Sequence, residues 1–470
     1  MSRKKKENLF LKNIEVIDTA HKGKSIAKHN ERVIIVKDGV PGDICNLKVY
    51  KRRRKYWDAE IEKIHKYSEY RTEPQCEHFG TCGGCKWQNM NYDTQLKFKE
   101  KEVIDNLQRI GHVNTQDHPS IIGSKNTYFY RNKMEFTFSN KRWLTKDEIN
   151  SEEDITNRNA CGLHVPGMFD KVINLENCYL QKEPSNSIRL SVNDFAQKNN
   201  LSYFDIREQK GLLRNLIIRT STTNDLMVIV QFYEDDLESI NKLMKHLKTS
   251  FSSITSLLYT INQKANNTLY DQEIICYHGK DYIQERIDDL TFNIGPKSFF
   301  QTNSEQTKTL YRKTRELANI KKTDIVYDLY TGTGTIAQYI SKDAKKVIGI
   351  DSVKEGIEAA DVNAKINKIK NCTFYTGDMK EIFTEDFIKS NGRPDIIITD
   401  PPRDGMHKKV IEQILRIKAK RIIYVSCNSA TQARDISLVK DVYELKSIQP
   451  IDMFPQTHHV ENIVVLEIKS

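Results

Sequence analysis

The sequence predicts an α/β chain in three parts: a small β-barrel, a mixed α+β region, and a C-terminal domain built on a parallel sheet of Rossmann-like layout. Three observations predict it. Residues 1–68 alternate apolar and polar positions between Gly-containing turns, the pattern of short barrel strands. Residues 69–296 mix strand-like runs with a few helical stretches and open on clustered cysteines. Over residues 297–470, strand-length apolar runs alternate with helical segments, which argues for parallel strands joined by crossover helices.

The totals narrow the class. A chain of 470 residues is long enough for roughly three domains, each with its own core. A net charge of +10 with 29% charged residues suits a soluble protein with a polyanionic partner. No apolar run approaches the roughly 18 residues of a membrane span, so no membrane association is expected. The basic start Met1-Ser2-Arg3-Lys4-Lys5-Lys6 is followed by no signal-type apolar segment. A cytoplasmic monomer is the expectation. Nine cysteines in a reducing compartment point to metal or catalytic use rather than disulfides.

In the first part, Ile34-Ile35-Val36 and Ile44-Cys45-Asn46-Leu47-Lys48-Val49 flank the turn Asp38-Gly39-Val40-Pro41-Gly42-Asp43. The segment Lys51-Arg52-Arg53-Arg54-Lys55-Tyr56-Trp57 sets five cations beside two aromatics. That mixture suits phosphate neutralisation with base stacking and equally a solvated basic loop. Next, Cys76 and Cys82-Gly83-Gly84-Cys85 place three cysteines at x5 and x2 spacing. They can wrap one metal centre, the glycines letting the backbone fold closely around it. Zinc serves thiolates at this spacing as well as iron does, and a fourth ligand must come from elsewhere. Cys45, Cys161, Cys276 and Cys372 lack partners at ligand spacing and read as small core residues. A helix is expected over Asp93–Leu107, extending to about residue 118, with Asp93 as N-cap and one face on the C-terminal domain. Tyr130-Arg131-Asn132-Lys133 begins a strand with cations.

The C-terminal strands are expected at 325–330, 346–350, 372–376, 395–399 and 421–425, then at 442–449 and 462–468 with only a loop between, so that at least one pairs antiparallel. Open α/β sheets bind ligands outside the carboxyl ends of their strands. Asp328-Leu329-Tyr330-Thr331-Gly332-Thr333-Gly334-Thr335 closes one strand and opens a helix, and Asp351 ends the next. Glycines there let backbone approach a cofactor, and an acid at that second strand end can accept both ribose hydroxyls. NAD shares this geometry, but the third glycine of its fingerprint is missing after Gly334. Asp400-Pro401-Pro402-Arg403 and Ser426-Cys427-Asn428 follow two further strands and deliver a carboxylate and a thiol to one rim.

Taken together, these motifs resemble the S-adenosylmethionine-dependent RNA uracil-C5 methyltransferases that form 5-methyluridine. The resemblance covers nearly the whole chain. It implies a TRAM/OB-like RNA-binding barrel at 1–68, an iron-sulfur and central RNA-binding domain at 69–296, and a Rossmann-like methyltransferase domain at 297–470. It implies a 4Fe-4S cluster on Cys76, Cys82, Cys85 and Cys178, the last in Glu176-Asn177-Cys178-Tyr179-Leu180-Gln181. For S-adenosylmethionine it implies contacts from Gln301, Tyr330, Gly332, Gly334, Asp351 (a Glu in the family) and Asp400. Arg131 and Lys133 become candidates for RNA backbone contacts. The catalytic pair it implies is Cys427 with Glu461, the latter in Thr457-His458-His459-Val460-Glu461, with His459 expected to orient it.

The chemistry requires such a pair. Uracil C5 is too weakly nucleophilic to take a methyl group unaided, but a thiolate added at C6 makes the ring an enolate; a base must then remove the C5 proton. A free thiol is only a few per cent ionised at neutral pH, so the site is expected to favour the thiolate. Amino-group methyltransferases share Asp-Pro-Pro yet need no cysteine; cytosine-C5 enzymes place a cysteine after the proline, where Arg403 and Asp404 stand here. The implied substrate is 23S ribosomal RNA, the cluster and barrel being features of that branch. Transfer RNA is the alternative, and a non-catalytic iron-sulfur RNA-binding protein the reading from another class.

Overall fold

The computed structural model describes residues 9–152 and 155–469; the basic start Met1–Lys6 lies outside them. Five strands, Leu9–Ala20, Lys24–His29, Arg32–Lys37, Ile44–Arg52 and Tyr56–Lys66, close into a barrel in which the third pairs in parallel with the fifth. Alternate residues point inward, so Val16, Ala27, Val36, Leu47 and Ala59 form a sealed core. The Asp38–Asp43 turn is fixed by its last residue. Asp43 Oδ2 accepts from Val40 N at 2.7 Å, and both carboxylate oxygens hold the Arg71 guanidinium at 2.7 and 2.8 Å.

The expected helix runs over Tyr92–Arg109. Its N-cap is Asn91, not Asp93: the Asn91 side chain accepts from Thr94 N at 3.0 Å while its own backbone is still extended. It stops well before residue 118, at Ile110, with His112 soon after in the left-handed region. Val103 and Leu107 pack into the core of the C-terminal sheet with Tyr327 and Leu329.

The middle region forms a seven-stranded sheet in the order Ile275–Gly279, Ser256–Ile261, Leu226–Phe232, Leu213–Thr220, Lys133–Ser139, Ala160–His164, Val172–Asn174. Its central strands bury both faces. Leu216, Ile218, Val228 and Val230 pack under helices Ser185–Lys198 and Leu237–Ser250, whereas Ile217, Met227 and Ile229 join the core of the C-terminal domain. That double burial is why these strands read as continuous apolar runs. A two-stranded ribbon, Ile283–Ile287 with Leu290–Ile294, departs from the expected boundary at 296. Its Ile283, Ile287, Phe292 and Ile294 are buried with Val326 and Val347 of the C-terminal sheet, and Asn363 and Asn367 accept from its backbone at 2.8 and 2.9 Å.

The C-terminal sheet orders its strands Cys372–Thr376, Lys346–Asp351, Ile325–Leu329, Ile396–Thr399, Arg421–Ser426, Glu461–Ile468, Tyr443–Ile451. The first five are parallel. Glu461–Ile468 runs antiparallel to both its neighbours. Strand order therefore reverses beside Ile325–Leu329, which opens a crevice at the carboxyl ends. Because the antiparallel strand starts where the parallel ones finish, and Ser426 pairs with Asn462, Glu461 enters the sheet opposite the exit of Cys427. No described helix is long and apolar enough to cross a membrane.

Candidate active site

A cavity of about 700 Å³ occupies that crevice, within the range of small-molecule sites. It brings together Gln301, Tyr330, Gly332, Asp351, Asp400, Cys427 and Glu461. Gly334 is not among the lining residues. It stands behind the loop at φ +73°, where a Cβ would lie 2.8 Å from both Ala360 Cβ and the Phe374 ring. Gly332 does face the cavity, at φ +55° with nothing within 4 Å of a notional Cβ. The strand before the loop ends at Leu329 because Tyr330 turns into the left-handed region at φ +65°, a strained conformation of the kind found at ligand sites.

Asp351 accepts from Gly332 N through Oδ2 and from Val353 N through Oδ1, each at 2.9 Å. Those bonds fix its carboxylate against the loop and leave further lone pairs for hydroxyl groups of a ligand. Gln301, nearly buried, lies just before Asn303, which caps the helix Ser304–Ala318 and donates to Met453 O at 3.0 Å. That tie anchors the entry segment to the loop ahead of Glu461.

The Ser-Cys-Asn motif has a structural logic beyond its thiol. Asn428 caps helix Ser429–Val439 through its side-chain oxygen, and its Nδ2 donates to Arg403 O at 2.9 Å. Thr431 Oγ1 donates to the same carbonyl at 3.0 Å. The Asp400–Arg403 loop is thereby tied to the loop carrying Cys427.

The electrostatics depart from expectation. Burial first, then the charges of Glu461 and Asp400, raise the Cys427 thiol to about 11 against the opposing charge of Arg403. The protein by itself therefore holds a thiol rather than the expected thiolate. Asp400 is raised to about 7 by burial and by Asp328, and Glu461 is held well above its ordinary range by burial and by Asp400, with Arg403 opposing. These acids come from three different strand ends, and none has its own cation in full.

Sequence reasoning passed over three contributors. Asp328 Oδ2 accepts from Thr331 Oγ1 at 2.6 Å and Ala337 N at 3.0 Å, binding the Gly332 loop to the helix behind it, while its Oδ1 is buried without a partner. Its place at the strand end was the available signal. Tyr311 lines the cavity and shares a 2.8 Å hydrogen bond with Thr335. Phe299 stands at the cavity with 62% of its surface exposed. Arg131 lines the same cavity, its guanidinium 5.6 Å from the Phe454 ring. Lys133 does not: it sits in a separate small pocket with Arg219 and Glu285. His459 lines the cavity but packs on His458 and Phe454, and among the described residues no hydrogen bond links it to Glu461.

Cys76, Cys82, Cys85 and Cys178 line one small cavity walled by Phe79, Leu163, Leu175 and Leu180. Gly84 N donates to Cys82 Sγ at 3.4 Å. Burial raises all four thiols, Cys82 to about 11 and Cys85 to about 12. Among the described residues no group of three or more His, Cys, Asp or Glu is arranged to hold a metal ion. At the barrel, Arg52 and Arg32 flank the Trp57 ring at 6.0 and 5.6 Å, and Arg53 pairs with Asp58 at 3.0 Å.

An uncharacterised RNA methyltransferase of Bacteroides thetaiotaomicron is 52% identical over 96% of this chain and 100% of its own length. Another, of Chlorobaculum tepidum, is 35% identical over 97% of this chain and 95% of its own. The solved structure of Pyrococcus abyssi tRNA (uracil-54, C5)-methyltransferase in complex with S-adenosyl-L-homocysteine matches with a TM-score of 0.73 at 28% identity, covering 96% of this chain and 100% of that one. The sequence model described as tRNA (uracil-5-)-methyltransferase matches residues 216–469, from the middle sheet through the last strand. With more than half its length matched by that model and a close relative along nearly all of it, the chain belongs to the tRNA (uracil-5-)-methyltransferase family of RNA methyltransferases.

Proposed function

We propose that the protein transfers a methyl group from S-adenosylmethionine to C5 of a uracil in RNA, with Cys427 as nucleophile and Glu461 as base. The observation that carries this is the antiparallel register that sets Glu461 opposite Cys427 on one cavity with Asp351, Gly332 and Asp400. When bound, S-adenosylmethionine supplies an electrophilic methyl on a sulfonium. Asp351 and the Gly332 loop would hold its ribose; Tyr330 and Asp400 would face its methionine end. Cys427 adds through sulfur to uracil C6, and the electron pair moves onto the ring oxygen and makes C5 nucleophilic. After methyl transfer Glu461 takes the C5 proton, the ring electrons return, and the C6–S bond breaks. Burial first, then the charge of Glu461 and Asp400, keeps the thiol protonated in the free protein; a bound sulfonium would offset that charge, so we assign ionisation of Cys427 to the loaded site.

The RNA we read as substrate is 23S ribosomal RNA, supported by the barrel's basic hairpin and the four-cysteine cavity. The tRNA reading is favoured by the Pyrococcus neighbour, which acts on a tRNA uracil and spans the same length. Mapping 5-methyluridine in RNA from cells with and without the gene decides between them. A methyl lost from neither RNA, or found on nitrogen or cytosine, overturns the reaction.

We further read the four-cysteine cavity as the seat of a 4Fe-4S cluster. The support is four thiols lining one shared apolar-walled cavity, with the Gly84 backbone N–H directed at the Cys82 sulfur. Anaerobically purified protein should be brown with about four irons per chain; colourless protein holding one zinc refutes this.

A further inference from the structure

Behind the four-cysteine cavity lies Arg189, 1% exposed, on the helix Ser185–Lys198. Its guanidinium donates to Leu175 O, to Glu176 O at 2.9 Å and to Asn186 Oδ1 at 3.2 Å. Asn186 in turn accepts from Cys178 N at 3.0 Å and donates to Cys178 O at 3.2 Å. One helix turn therefore grips the backbone of the loop Leu175–Cys178, three of whose residues wall the cavity. The charge on this arginine is the unexplained feature. Among the described residues no carboxylate lies within ion-pair distance of it, and its Nε is buried with no hydrogen-bond partner. The Phe136 ring, 5.3 Å away, offers a partial cation–π contact. A buried guanidinium facing only carbonyls and a ring is expensive unless an anion offsets it. The groups whose charge would favour it most are the thiols of Cys161, a buried core cysteine outside the four-cysteine cavity, and then of Cys178, which lines it, ahead of Glu183. A neutral thiol supplies no such charge; a metal-bound thiolate at Cys178 does.

We propose that Arg189 is the built-in counter-charge and clamp of the metal centre: it holds the loop that delivers Cys178 and offsets the negative charge that four ligating thiolates bring into the interior. This rests on the iron-sulfur reading above. Arg189 is a positioning residue, acting on the centre through Asn186, the loop carbonyls and its field. It also explains why the fourth cysteine can sit far from the other three in sequence. The helix that follows Cys178 carries both the hydrogen bonds that aim its loop and the charge that retains the ligand as thiolate.

The test compares the anaerobically purified parent with Arg189→Gln and Arg189→Lys, reading iron per chain, the reduction potential by EPR-monitored titration, and bleaching of the chromophore by a chelator. Arg189→Gln removes the positive charge, so adding an electron to the centre becomes harder and the potential moves to a more negative value. Bleaching should accelerate by roughly tenfold or more, the usual consequence of losing an outer-shell partner. Arg189→Lys keeps the charge without the forked grip, so it should hold the parent potential while bleaching faster. If Arg189→Gln does not fold, Arg189→Lys decides alone: a parent-like potential with faster bleaching supports the proposal, and a shifted potential or unchanged bleaching overturns it. A brown parent with an indistinguishable Arg189→Gln sinks the role of Arg189 and leaves the cluster standing. A parent without iron removes the cluster reading and the counter-charge role together.

Discussion

Lys99 and Asp452 form an ion pair of 2.6 Å with both side chains wholly buried, joining the helix Tyr92–Arg109 to the loop ahead of Glu461. Tyr92 Oη donates to the other oxygen of Asp452 at 2.8 Å, and Lys99 Nζ also donates to Phe454 O at 3.0 Å. Burial pulls Lys99 below its ordinary value, with Asp452 opposing. Lys99→Met should strand the Asp452 carboxylate and destabilise the protein by about 3–5 kcal/mol, the typical result of halving a buried pair. Chemical denaturation of parent, Lys99→Met and the double variant Lys99→Met with Asp452→Leu checks it. The double variant should recover most of the loss, and a single variant as stable as the parent removes the pair from the account of domain docking.

The two loop glycines should behave differently. At Gly332 an added Cβ meets nothing, so Gly332→Ala incurs only the left-handed backbone strain of about 1–2 kcal/mol. At Gly334 the same methyl would strike Ala360 and Phe374 at 2.8 Å as well. Thermal melting should therefore show Gly334→Ala to be the less stable variant. Calorimetry should show Gly332→Ala weakening cofactor binding directly, because only that glycine faces the cavity. Equal melting temperatures would contradict the packing role of Gly334.

The difference between those glycines marks what the sequence could tell. Strand positions were legible because both faces of the sheet are buried, so each strand announces itself as an apolar run with a motif at its carboxyl end. The placement of Glu461 was legible only as a motif; that it meets Cys427 depends on an antiparallel register no local pattern encodes. The raised pKa values of Cys427 and Asp400 were illegible for a related reason. They arise from burial and from neighbours on other strands, whereas the thiolate was expected from the needs of the chemistry. Asn91 outcompeted Asp93 as cap because it sits one residue before the first helical turn, a shift within the ordinary error of helix boundaries.

At the barrel hairpin, Arg52 and Arg54 are exposed, whereas Arg53 is already engaged by Asp58. For RNA binding, Arg52→Ala and Arg54→Ala should each remove roughly 0.7–0.9 from the log–log salt slope. Arg53→Ala should remove less. Binding titrations over a series of salt concentrations give the slopes, and three unchanged values would return the hairpin to a solvated loop.

With its pKa near 11, Cys427 in the free protein should be about a hundredfold less ionised near neutral pH than a thiol at the ordinary 9.0. Alkylation followed by peptide mass mapping should be slow at pH 7 and rise about tenfold per pH unit until the pH passes that value. Glu461→Gln removes one opposing charge and should lower the thiol pKa. A bound sulfonium should do the same, so S-adenosylmethionine should speed alkylation relative to its uncharged product S-adenosylhomocysteine, once shielding by the ligand is matched between the two. A thiol already reactive at pH 7 in the free protein would contradict this electrostatic account.

The division of labour between Cys427 and Glu461 makes the sharpest prediction, because the two act at successive points on one base. If Cys427 adds to C6 before methyl transfer, Cys427→Ala should lose turnover completely while calorimetry finds cofactor affinity intact. If Glu461 removes the C5 proton afterwards, Glu461→Gln should still add and methylate, then stall with the protein joined to RNA. That adduct should survive denaturing electrophoresis and should require S-adenosylmethionine. Substrate bearing 5-fluorouridine should trap the parent enzyme at the same stage, since fluorine cannot leave C5 as a cation. The amide keeps the shape of Glu461 but cannot take the proton, so loss of turnover without adduct would move the base elsewhere. An active Cys427→Ala variant would exclude thiolate addition altogether.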